Sequence, residues 1–368
     1  MPDDILDDDA LWWNIITGPS RLVKAIVSDL TEGRSVLFGG SGACPWKEKM
    51  RRCVELALSE KMFELIVDFI DCAQEDDPNL SVGRYLLTRL RRTDSRVAYG
   101  YRGDDEGIIQ YLRDNGILKN RVLWLKRVEN EEQLRRWLVF CLQYETNRDP
   151  SDGLIVIETF LKQLTAGSLP EHVAFHNYNI MVTPHDTLSF CSLLSARSNI
   201  SGLWKQYIAT LAATLFYGNI EQGALFIKNT DFRVQDPADR QSGALLRGVN
   251  AKRALELQRM VWKAQLQFVF PLIEETRIDL AGKYKPEIDA ALLQAGMDAM
   301  WYGQQITDAY SAELGLLIRL SDSHYLVAFQ NEDKQRIKFL HACRNKLAHM
   351  KCCSPEELDI LFSGSLSV

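Results

Sequence analysis

Arg34-Ser-Val-Leu-Phe38-Gly-Gly-Ser-Gly-Ala-Cys-Pro-Trp46 is the stretch on which the fold turns. Its first five residues form an apolar run of the kind that makes a buried strand, and Gly39-Gly40-Ser41-Gly42 closes the run with a turn. Helical patterning follows over residues 46–59. Working outward, residues 63–69, 121–125 and 153–157 read as strands, residues 131–144 as a charged helix, and a short helix is expected after Ile157. Residues 179–182 and 188–191 read as further strands. Strands alternating with helices predict a mainly parallel sheet covered by helices.

Beyond residue 200 the pattern changes. Residues 204–216 look helical, and 229–250 are polar, with Asp236-Pro237, Gly243 and Gly248, and read as a linker or long loop. Helices are expected at 252–274, 286–295, 299–320 and 332–351. Ser354 with Glu357 three residues on is a capping-box pattern for a short terminal helix. The expected fold class is therefore α/β plus all-α: an α/β domain over 1–228, a linker over 229–250 and a helical domain over 251–368.

The glycine turn occupies the place of a phosphate-binding loop between a first strand and a helix, and the arrangement resembles a degenerate AAA-type or related P-loop NTPase. A working loop needs G-x-x-x-x-G-K-[ST], so that backbone N–H groups, a lysine and a Mg²⁺-holding hydroxyl meet the phosphates. Here Gly42 is followed by Ala43 and Cys44, and the first lysine, Lys47, lies beyond Pro45. The turn reads as a structural element or as a pocket that does not hydrolyse, and the pattern argues against a working ATPase. Residues 154–158 imitate a Walker B strand ending in an acid; the plainer reading is a buried strand that meets solvent at Glu158.

His172, His176 and His185 lie close together, but no Cys or carboxylate nearby completes a zinc-ligand spacing, so they read as surface or turn residues. Trp12-Trp13 follow an acidic run and read either as a docking segment for a partner protein or as a cap on the α/β core.

Composition narrows the class. The 368 residues are 46% hydrophobic and 25% charged, ordinary for a globular protein of two or three domains. A net charge of −6 argues against general coating of nucleic acid, so any RNA contact would be local. The eight cysteines are scattered without a C-x-x-C pair, which excludes a disulfide framework and fits a reducing, cytoplasmic setting. No signal-peptide pattern opens the sequence, and no apolar run approaches the roughly 20 residues of a membrane span.

His341-Ala-Cys-Arg344-Asn345-Lys346-Leu-Ala-His349 carries an Arg-Asn-x-x-x-His pattern on a helix whose apolar face is Ile337, Leu340, Cys343, Leu347 and Met350. Asn345 and His349 share the opposite face, and Arg344 lies about 140° from His349 on an ideal helix. Lys338, Lys346 and Lys351 help to make the outer face basic. This pattern, with the Leu347-Ala348 and Ser354-Pro355-Glu356-Glu357-Leu358 that flank it, resembles the HEPN superfamily over roughly the last third of the chain. The resemblance implies a HEPN-like helical bundle and a metal-independent endoribonuclease of a toxin-like or anti-phage defence system, regulated by the N-terminal domain. Arg344 would stabilise phosphorane charge, His349 would act as base or acid, and Asn345 would orient the phosphate or the imidazole. Lys346, Lys338, Lys351 and, on the preceding helix, Glu313 would line the RNA-binding cleft. The resemblance further implies an RNA substrate, a homodimer through the C-terminal domain, a protein partner in a defence complex, and no metal or cofactor. The alternative is a non-catalytic interaction subunit in which the helical domain only dimerises.

Overall fold

The apolar runs of the first half of the chain become five parallel strands: β1 (Ser35–Gly39), β2 (Ile66–Asp71), β3 (Arg121–Val128), β4 (Leu154–Thr159) and β5 (Val173–Asn177). The structure is a computed structural model and describes residues 7–62, 64–75, 80–90, 104–145, 153–161, 169–232, 251–295, 300–301, 304–322 and 327–364. The strand order is β2-β3-β4-β1-β5. Leu37 is in register with Ile157 of β4 on one side and with Phe175 of β5 on the other. Every residue of β1 and β4 is buried, as a strand covered on both faces requires.

The helices of this part are α1 (Asp8–Ala10), which runs on as a π-helical turn over Leu11–Ile15, α2 (Thr17–Thr31), α3 (Lys47–Lys61), α4 (Cys72–Glu75), α5 (Val82–Leu90), α6 (Asp105–Asp114), α7 (Glu131–Glu145), α8 (Tyr178–Met181) and α9 (Pro184–Ala196). On one face of the sheet Leu37, Leu123, Leu125, Ile155 and Ile157 pack with Leu86, Ile108, Leu112, Trp137 and Phe140 of α5, α6 and α7. Strand alternation turns Phe38, Trp124 and Glu158 to the other face, where α3 reaches Glu158 through Arg51.

Trp12 and Trp13 are each 1% exposed. Trp12 meets Phe190 edge-on at 5.3 Å and Trp13 lies 6.3 Å from Tyr178. They are core residues, and the docking-segment reading is corrected.

The last strand lies upstream of where the sequence pattern put it. Residues 179–182 and 188–191, expected as strands, fall mainly in α8 and α9. Asn177 caps α8, its side chain accepting the Asn179 N–H. Pro184 opens α9, and Asp186 in its first turn accepts the N–H and hydroxyl of Thr183 and the N–H of Gly18.

The chain divides into two units, Met1–Phe190 and Cys191–Val368. The second holds α10 (Gly202–Leu215), α11 (Ile220–Asn229), α12 (Ala251–Lys283), α13 (Lys285–Ala295), the antiparallel pair β6 (Met300–Trp301) and β7 (Gln304–Gln305), α14 (Leu314–Asp322), α15 (Asn331–Ala348) and α16 (Pro355–Ser363). Residues 202–229 group with this unit because α10 packs along α12, where Gln265 donates to the Tyr207 hydroxyl. The same Gln265 exchanges two hydrogen bonds with the Cys353 backbone.

The continuous helix expected over 299–320 does not form. β6 and β7 occupy its start, Asp308 caps a 3-10 turn at Ala309–Ser311, and α14 begins only at Leu314. The capping box of Ser354 and Glu357 is present in both directions. The second unit is therefore not the all-helical bundle expected, and the molecule is a mixed α/β protein with a five-stranded parallel sheet and many helices. Residues 233–250, most of the expected linker, and 162–168, which follow Ile157 and Leu161, lie outside the described residues. No described helix is long and apolar enough to cross a membrane.

Candidate functional site

The chain leaves β1 for β2 at the far edge of the sheet, returns through β3 to β4 beside β1, and crosses to β5 on the other side. In an open α/β sheet, such a reversal opens a crevice outside the carboxyl ends of the strands, where ligands bind. Here the crevice is bounded by the loop after β1, by Glu158, Thr159 and Phe160 at the end of β4, and by Asn177 and Asn179 at the end of β5.

The loop is tightly fixed. Gly40 sits at φ +73°, a conformation that suits glycine. A Cβ there would lie 3.0 Å from the Asn177 and Asn179 side chains. The Ala43 N–H donates to the Gly40 carbonyl at 3.1 Å, closing the turn over Ser41–Ala43. Cys44 and Pro45 are buried, and Trp46, at φ +41°, enters α3 with its ring 5.8 Å from Phe190. Counting G-x-x-x-x-G-K-[ST] from Gly39 puts Cys44 at the second glycine, Pro45 at the lysine and Trp46 at the hydroxyl. Pro45 supplies neither an ammonium nor a backbone N–H. Lys47 turns its ammonium onto the Phe160 ring, 4.6 Å from the centroid, and Phe160 in turn lies against Gly42.

Glu158 does not meet solvent. It is 2% exposed, and both oxygens are occupied: Oε1 accepts from Arg51 Nε at 2.7 Å and from Trp124 Nε1 at 2.5 Å, and Oε2 accepts from Arg51 Nη2 at 2.7 Å. Arg51, 5% exposed, also reaches Glu48. Burial works to lower the Arg51 pKa, but the carboxylates of Glu158 and Glu48 outweigh it and hold the pKa above its ordinary value. The reading of a strand meeting solvent at Glu158 is corrected; the carboxylate neutralises a guanidinium inside the protein.

His176 of β5 lies 2.5 Å from Asp29 of α2, which also takes Arg34 at 2.6 Å. This ties the edge strand to the helix that covers it. His172 and His185 are exposed, and among the described residues no group of three metal-binding side chains occurs.

In the second unit the Arg-Asn-x-x-x-His residues are not brought to one point. Arg344 lies 3.5 Å from Glu274 and 3.2 Å from Glu313, with its guanidinium over the Phe270 ring at 5.8 Å. Asn345 pairs with His341 at 3.2 Å. His349 is an exposed residue just past the end of α15. Lys346 is held by Glu357 at 2.5 Å, which raises its pKa, Lys338 lies 3.3 Å from Asp322, and Lys351 is exposed. Glu313 faces the motif, but as the ion-pair partner of Arg344.

No family model matches the chain, and no curated protein does. Among solved structures it is similar to the ORC2 protein of Aeropyrum pernix in its ADPNP–ADP complexes, at 10% identity and a TM-score of 0.33, over 95% of this chain and 94% of that one. The HEPN expectation is corrected on these findings. The guanidinium that was to meet a phosphate already faces two carboxylates, Glu274 and Glu313, and His349 lies apart from it past the end of α15. The endoribonuclease, toxin and defence readings drawn from that resemblance fall with it. We expect Arg344→Ala to lower stability by about 1–2 kcal/mol, since it strips Glu274 and Glu313 of a partner and uncovers Phe270. His349→Ala should stay within about 0.5 kcal/mol. Urea unfolding of the two variants side by side reads this; equal effects would contradict the assignment.

Proposed function

We propose that the first unit is a P-loop-shaped module that does not hydrolyse nucleotide, and that the protein acts through what it binds. One observation carries the reading: whether the motif is counted from Gly39 or aligned on Gly42, no lysine and no Ser or Thr stands where the phosphates and a metal would need them, and the candidate positions are filled by Ala43, Cys44, the buried Pro45 and Trp46, whose ring packs on Phe190. The neighbouring carboxylate supports it. Glu158 is 2% exposed and serves as the counter-ion of Arg51, with Trp124 as a further donor, so its carboxylate is engaged inside the protein.

The test is steady-state phosphate release from MgATP by the full chain. The expected result is no release above a protein-free blank, together with a thermal shift by millimolar MgATP of under about 1 °C. Turnover that disappears on Lys47→Ala would overturn the proposal.

A further inference from the structure

In the second unit the chain doubles back after α15 and lays one cysteine against another. Cys343 sits on the buried face of α15, one turn before Leu347, and Cys353 follows ten residues on, equally buried. Met350, at φ +58°, turns the chain, and the Lys351 N–H donates to the Lys346 carbonyl at 2.8 Å to close the bend. α12 holds both sides of that bend. Trp262 donates to the Leu347 carbonyl at 2.7 Å. One turn along, Gln265 accepts the Cys353 N–H at 2.7 Å and donates to the Cys353 carbonyl at 3.1 Å. Cys353 is thereby seated beside the turn of α15 that carries Cys343, and the two thiols share a hydrogen bond.

That hydrogen bond, with burial, pushes the Cys353 thiol well above its ordinary pKa, so it stays protonated while the bend is closed. Two apolar side chains would fill the same space. Two sulfurs in contact add one chemistry that apolar groups lack, a covalent bond between them. The way in is short. Ala348 to Lys351 are exposed and Cys352 is half-buried, so opening this bend uncovers Cys353 with little of the rest of the fold.

We propose that Cys343 and Cys353 form a redox latch, a dithiol that a hydroperoxide converts to a disulfide across the bend. With the bend open, the Cys353 thiolate attacks a peroxide oxygen. The O–O bond breaks, leaving a sulfenic acid, and from hydrogen peroxide the departing hydroxide takes up the thiol proton as water. The Cys343 sulfur then attacks the sulfenic sulfur, the S–O bond breaks, and the Cys343 proton leaves with that oxygen as a second water. Two thiols lose two electrons and one peroxide becomes two waters. Exchange with a small thiol reverses the step. The latch makes no use of the loop after β1, so the outcome of the nucleotide test leaves it untouched.

The test treats the full chain with hydrogen peroxide in native buffer, blocks the remaining thiols and maps tryptic peptides by mass. Trypsin cuts after Lys338, Arg344 and Lys351, so the latch joins residues 339–344 to the peptide that follows Lys351. The linked species should appear in wild type and equally in Cys352→Ser, where Cys353 is the second peptide's remaining cysteine, and dithiothreitol should dissolve it. Oxidised Cys352→Ser should have its folded-to-unfolded ratio in urea raised at least tenfold over the reduced form, because the cross-link restrains the unfolded chain. No linked peptide in either protein, linkage in wild type alone, or an oxidised chain no more resistant to urea than the reduced one would each overturn the proposal.

Discussion

Glu158→Ala should cost the first unit about 3–5 kcal/mol, the range for breaking a buried ion pair from one side. Arg51 would keep its charge at 5% exposure with Glu48 as its remaining carboxylate partner, and the Trp124 indole N–H would lose its acceptor. Against a typical domain stability of about 5–15 kcal/mol this is a large fraction, and the unit should unfold at markedly lower urea. Glu158→Gln should fall between wild type and alanine, because an amide oxygen still accepts from Trp124 but leaves the guanidinium without its neutralising charge. The double change Arg51→Met with Glu158→Leu removes both charges and should recover most of the loss. Urea unfolding followed by far-UV circular dichroism reads the loss. A loss below about 1 kcal/mol for Glu158→Ala would mean that water reaches the pair and that the site is not closed.

Gly153→Ala should be the next most damaging. The added Cβ would lie 2.5 Å from the Leu118 Cβ, 2.7 Å from the Leu118 carbonyl oxygen and 3.3 Å from that of Arg121. Backbone cannot swing aside as the end of a side chain can. The Leu118 carbonyl also accepts the Arg121 N–H where β3 begins, so yielding would shift that strand's start. Overpacking of this kind costs about 1–3 kcal/mol and occasionally more. Gly202→Ala is the matched control. It has nothing within 4 Å of the new methyl and opens α10, so it should be neutral or stabilising by up to about 1 kcal/mol. Differential scanning calorimetry on both variants should show an early transition only for Gly153→Ala; equal melting temperatures would show that the start of β4 can give way.

Much of the sheet was legible because its central strands are continuous apolar runs. Val36, Leu37 and Phe38, like Leu154 to Ile157, have few alternatives to a strand buried on both faces. The edge strand was not legible. Val173 to Asn177 mixes apolar and polar residues, and its two faces separate only when Phe38 is placed opposite His176. The four-residue run at Leu188 is too short for its period to separate strand from helix, and Pro184 with Asp186 settles it as α9. The Arg51–Glu158 pair left two local traces. Arg51 interrupts the apolar stripe of Met50, Val54 and Leu58, and Glu158 ends an apolar strand. That they answer each other across 107 residues is a fact of topology alone. The spacing of Arg344, Asn345 and His349 carried the opposite hazard. It showed three polar groups near one another in sequence, but not the carboxylates that α12 and Glu313 bring to the arginine.

The seating of Trp12 on Phe190 and of Gly18 on Asp186 bears on how the protein is made. Gly18 and Asp186 are 168 residues apart, so at about 5–20 residues per second the ribosome needs roughly 8–34 s to supply the second after the first. Through that interval Trp12 and Trp13 lack the Phe190 and Tyr178 rings they pack against in the folded unit. Nascent chains stalled short of Phe190 should therefore bind a holdase chaperone at their amino-terminal end, and chains extended past α9 should release it.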